Sequence, residues 1–129
     1  MKIALAVWEG RIAPLLDVAT EIVVIEVGDS YWSEASRLVV EPDAPRRLAD
    51  SVLESGARVL LCGAASLCFA DEVRGEGLQV VAFLAGAVDS IADAWAQGGF
   101  DPDRFAMPGC GRGQGRRLGC GRGRAARGG

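Results

Sequence analysis

The chain has 129 residues, half of them apolar, and a formal net charge of −3, enough for one domain with its own hydrophobic core. No apolar stretch approaches the length of a membrane span, and the opening "MKIALAVWEGR" is broken by Glu9 and Arg11 with no secretory cleavage pattern. A cytoplasmic protein is expected, with its four cysteines reduced or metal-bound rather than in structural disulfides.

In chain order, "KIALAV" reads as a strand. After a long turn, "EIVVIEV" and "YWSEASRLVV" read as two more, joined through "GDS" as a tight hairpin. The pattern then changes to a helix. Asp43 is placed to cap it, Pro45 falls in its first turn, Leu48, Ala49, Val52 and Leu53 share a face, and Gly56 ends it. A strand–helix rhythm follows: "ARVLLCG", a helix within "AASLCFADEVRGEG" with Phe69 and Val73 four apart, the strand "LQVVAFLAG", and a helix in "AVDSIADAWAQGG". In that last helix Val88, Ile91, Ala92 and Trp95 form one stripe. The expected class is α/β: three antiparallel-linked strands and then αβαβα, in a mixed sheet with helices on both faces.

If the first strand lies parallel to the later two, three carboxyl ends meet at one edge: Trp8-Glu9-Gly10, Cys62-Gly63-Ala64 and Leu84-Ala85-Gly86. In open α/β sheets ligands favour this edge, near helix N-termini. Cys62 and Gly63 are therefore candidate cofactor-binding residues. Cys68, by contrast, reads as a small buried apolar side chain in the first turn of its helix.

The division at residue 107 is abrupt. Residues 1–107 carry 8 basic and 17 acidic side chains and form the expected α/β domain. Residues 108–129, "PGCGRGQGRRLGCGRGRAARGG", hold six arginines, nine glycines and no acid, which predicts a flexible tail that cannot order by itself. Cys110 and Cys120 are candidate metal and cofactor ligands, but nine intervening residues match neither zinc knuckles nor ferredoxin runs. Two thiolates make an incomplete site, needing Cys62, a second chain, exogenous thiols or open positions on the cargo itself.

The segments "MKIALAVWEGRIAPLLDVATEIVVIEV", "VLLCGAAS" and "VVAFLAGAVDSIADAWAQGGFDPDRFAMPGC", with the glycine- and arginine-rich tail, resemble the dinitrogenase iron–molybdenum cofactor biosynthesis (NifX-like) family, in its small stand-alone form. The resemblance spans nearly the whole chain. It implies a ribonuclease-H-like sheet, and binding or escort of an iron–sulfur-type cluster or cofactor precursor among metal-cofactor assembly or recipient proteins. What carries over is the glycine turns at Gly10, Gly63 and Gly86 and the "MPGC" ending with Cys110. A histidine-ligated cluster does not carry over, since the chain has no histidine.

The residues argue against catalysis. Two-metal hydrolysis needs clustered carboxylates, and the strand centres "IALAV" and "VLL" have none. Without histidine there is no Cys–His or Ser–His pair. The expectation is a non-catalytic carrier of a metal cofactor, self-association being compatible with it. The alternative is a nucleic-acid- or protein-interacting module acting through the Arg/Gly tail. Nucleic acid is disfavoured, because the tail has no aromatic residue and the body is acidic.

Overall fold

A computed structural model describes residues 1–107. Six strands and three helices occur in the order β1 (Lys2–Trp8), β2 (Arg11–Ile12), β3 (Glu21–Val27), β4 (Trp32–Val39), α1 (Pro45–Glu54), β5 (Val59–Leu61), α2 (Leu67–Gly75), β6 (Gln79–Val81) and α3 (Val88–Ala96). Short 3₁₀ turns cover Leu16–Val18 and Pro102–Phe105. The sheet runs β4-β3-β1-β5-β6, with β2 added beside β1. β3 is antiparallel to β1 and β4, while β5 and β6 run parallel to β1. The fold is thus a mixed α/β sheet, as the strand and helix order predicts.

Alternation along β1 assigns the two faces. Ala4 and Ala6 join α1 and α2 in one core with Leu48, Val52, Phe69 and Val73. Ile3, Leu5 and Val7 join α3 in the other with Val88, Ile91 and Ala92. The central strand is buried on both sides, which explains its unbroken apolar run. Each fully buried leucine or isoleucine contributes about 2 kcal/mol, and among the described residues no polar or charged side chain is buried. Each helix is followed by a left-handed glycine, Gly56, Gly77 and Gly98.

The structure corrects several local expectations. Ala44, not Asp43, is the N-cap residue of α1, and it makes no side-chain capping bond. Asp43 has a positive φ of 59° and donates its backbone N–H to the Asp17 carbonyl. The "long turn" after β1 contains a two-residue hairpin: Trp8 pairs with Arg11 across Glu9 and Gly10. Both turn residues have positive φ, 52° and 78°, the twist such hairpins require. β5 and β6 are three-residue strands, shorter than their apolar runs. Among the described residues no helix is long and apolar enough to cross a membrane.

Candidate functional site

The parallel pairing of β1, β5 and β6 brings the three carboxyl ends to one edge, as the sequence predicts. The chain's own backbone then ties them together. Ile12 donates to the Gly86 carbonyl at 2.9 Å, and Val88 to that of Gly10 at 3.0 Å. Ala64 donates to the Pro14 carbonyl at 2.9 Å, and Leu16 to that of Ala64 at 2.7 Å. Leu84 and Phe83 donate to the Cys62 and Gly63 carbonyls. Residues 10–16 therefore lie across the edge and use its hydrogen-bonding groups.

Gly63 shows how tight that crossing is. A Cβ on this residue would overlap the Ala13 carbonyl oxygen and sit 2.7 Å from that of Pro14. The space its missing side chain leaves is thus filled by backbone. Cys62 lies beside it, fully buried in the α1/α2 core. Burial pushes its thiol up to about 12, so at neutral pH it is a protonated core group. Gly86 is half-buried, with Phe105 and Ile91 near the position of its missing side chain. Cys110 and Cys120 lie outside the described residues.

Cys68 is exposed, contrary to the buried position expected for it, and it is disulfide-bonded, contrary to the reduced or metal-bound state expected of the four cysteines. The reason for its exposure is helical phase. α2 starts at Leu67 and buries Phe69, Ala70 and Val73, leaving position 68 off that stripe. The N-terminus of α2 is already satisfied by protein groups. Ser66 caps it, its hydroxyl accepting from Phe69 N at 3.1 Å. Asp17 in turn accepts from Ser66 N at 3.1 Å and from Ser66 Oγ at 2.8 Å. That carboxylate occupies the position an anionic ligand would otherwise take.

What stays open at this edge is a crevice of about 370 Å³ at the end of β1, which the sequence reading missed. Val7, Trp8, Ala13, Pro14, Leu15, Val18, Ala19 and Thr20 line it. Leu16 is buried, whereas Trp8 (56% exposed), Leu15 (39%) and Val18 (58%) are not. The lining has no ionisable side chain, so the crevice can adsorb an apolar group but cannot transfer protons. The available signal was "PLLDV", a run too apolar for an ordinary surface turn. A smaller pocket of about 190 Å³ lies on the α3 face, beside Trp32, Glu34, Arg37 and Asp89. There Glu34 and Glu21 hydrogen-bond Arg37 and hold its guanidinium charged. Among the described residues no group of three or more His, Cys, Asp or Glu could hold a metal ion.

No family model matches the sequence, and no curated protein is similar to it. Solved structures do share its fold. The protein PH0822 superposes with a TM-score of 0.68 at 14% identity, over 80% of this chain and 95% of that one. MJ0327, a dinitrogenase-like protein of Methanocaldococcus jannaschii, gives 0.57 at 13% identity over 78% of this chain and 92% of its own. The NMR structure of the same protein gives 0.58, also at 13% identity, over 79% and 92%. At these identities the likeness is one of fold.

Proposed function

We propose that this chain is a non-catalytic accessory protein that binds or carries an iron–sulfur-type metal cofactor or its precursor, in company with assembly or recipient proteins. The observation that carries the reading is the fold shared with a dinitrogenase-like protein over most of both chains. The sheet order β4-β3-β1-β5-β6, with β3 reversed, supports the ribonuclease-H-like description that accompanies it. The crevice at the end of β1 supports binding over catalysis, since nothing ionisable lines it.

The donors in this reading are the tail thiols Cys110 and Cys120, with Gly63 supporting the edge as a close-packing residue. Cys62 contributes packing, because a ligand must be a thiolate and its thiol is both buried and protonated. A two-thiolate shell exchanges its cargo more readily than a complete site, which suits a carrier.

The test is anaerobic reconstitution of the full chain with ferrous iron and sulfide, read by visible charge-transfer absorption and by iron and sulfide content. Wild type is expected to gain the absorption, and the Cys110→Ser/Cys120→Ser double variant to lose most of it. An identical spectrum from both proteins overturns the assignment of the donors. No uptake by either overturns the carrier reading.

A further inference from the structure

The crevice at the end of β1 exposes apolar surface with nothing among the described residues to cover it. Acidic groups outnumber basic ones around it: Glu9 follows Trp8, while Asp17, bonded to Ser66, and Glu21, paired with Arg37, flank the lining, and Arg11, the cross-strand partner of Trp8, is the one cation next to that ring along the chain. Residues 1–107 as a whole carry 17 acidic against 8 basic side chains. A second copy of the same acidic domain would bring like charge against like at this surface. A cationic occupant with an apolar side chain fits better.

The chain holds such a segment. "RRLGC" at 116–120 sets Leu118 beside Arg116 and Arg117, in a tail with no acid. The exit of the described chain is also in place. Met107 donates to the Phe83 carbonyl at 2.8 Å, Ala106 bridges Leu84, and Phe83 donates to Gly63 at the same carboxyl edge. From β6 to β1 is two strand spacings, about 10 Å. The 11 residues from Met107 to Leu118 can span up to roughly 36 Å, so reach is no obstacle.

We propose that residues 116–120 of the chain's own C-terminal segment occupy the Trp8–Leu15–Val18 crevice, with Leu118 against its apolar wall and Arg116 and Arg117 against the Trp8 ring and Glu9. Arginine over an exposed indole gains cation–π attraction, and the neighbouring carboxylate adds to it. Tethering supplies a high local concentration, so contacts that are individually weak act together. Screening makes the association sensitive to salt. The inference does not depend on the carrier reading. It does bring Cys120, two residues beyond Leu118, to the crevice from which a cargo would be released.

The test uses the full chain with a photoreactive benzoylphenylalanine at position 118, irradiated in dilute, low-salt solution and mapped after trypsin digestion. The expected result is an intramolecular crosslink to residues 3–11 or 12–37, the tryptic segments that hold the crevice lining. Its yield should fall at least threefold in Trp8→Ala, in Glu9→Arg and at high salt. The label lies beyond the described residues 1–107, and the far-UV circular dichroism of each variant is compared with that of wild type, so that loss of folding is told apart from loss of docking. Crosslinks confined to other segments, crosslinks only between two chains, or a yield indifferent to Trp8, Glu9 and salt each overturn the proposal.

Discussion

At the end of β5, Cys62 and Gly63 lie beneath the Ala13–Pro14 backbone, whereas one strand away, at the end of β1, Trp8 stands more than half exposed over a crevice. Both ends belong to the same edge of the same parallel section, and by the general rule for α/β sheets either could take a ligand. The difference comes from the path of residues 11–16. β2 pairs back onto β1, and the chain then crosses to Ala64, closing the β5 end and leaving the β1 end open. A glycine at a strand end therefore has two meanings. At Gly63 it admits the protein's own backbone, and at Gly10 it makes a turn.

Several experiments sharpen or break this contrast. The largest effect is expected from Gly63→Ala. Its Cβ meets backbone atoms that cannot rotate away, so we expect a loss of about 3 kcal/mol in urea unfolding. A neutral result would mean that the β5 end is open as well. Asp17→Ala removes the two bonds that dock the Leu16–Val18 turn onto Ser66, and should cost about 1.5 kcal/mol in the same assay. Restoration by Asn at position 17 would show that geometry, more than charge, carries the contact.

A smaller effect reports the burial of Cys62. The folded state keeps the thiol proton up to about pH 12, while the unfolded chain releases it above an ordinary value of 9.0. In that window the unfolded state binds fewer protons, so rising pH favours unfolding. The stability of wild type should therefore fall more steeply than that of Cys62→Ala between these limits, and converge with the variant's own slope below pH 9. At neutral pH, native Cys62 should resist iodoacetamide, with alkylation mapped by mass spectrometry and appearing on denaturation. Prompt modification of the native protein would contradict its place in the core. The smallest change is expected from Trp8→Ala, within about 0.5 kcal/mol in stability, because the side chain is more than half exposed in the folded protein.

Much of the fold was legible in residue patterns. The unbroken apolar run of β1, the single apolar stripes of α1 and α3 and the terminal glycines of all three helices follow local physics, and the structure keeps them. The errors cluster where local signals compete with packing. Asp43 is a good capping residue by chemistry, yet its backbone is held by Asp17 and the cap falls to Ala44. Cys68 looked buried by residue type, but the start of α2 at Leu67 turned it outward. Phe83 adopts a positive φ of 66°, a conformation no sequence rule assigns to phenylalanine. Hydrogen bonds from Phe83 to Gly63 and from Met107 to Phe83 fix it there.

The candidate site divides in the same way. The amino-acid sequence alone determined the α/β class, the meeting of three strand ends, the absence of histidine chemistry and the opposition of an acidic domain to a cationic, cysteine-bearing tail. These follow from composition and periodicity, which each segment carries in itself. Only the tertiary structure decided that Cys62 is core, that Gly63 is closed by Pro14, and that the open surface belongs to Trp8, Leu15 and Val18. Those facts depend on where residues 11–16 cross the sheet. That crossing is a contact between segments some fifty residues apart, as Leu15 with Ala64 shows, and no local pattern encodes it.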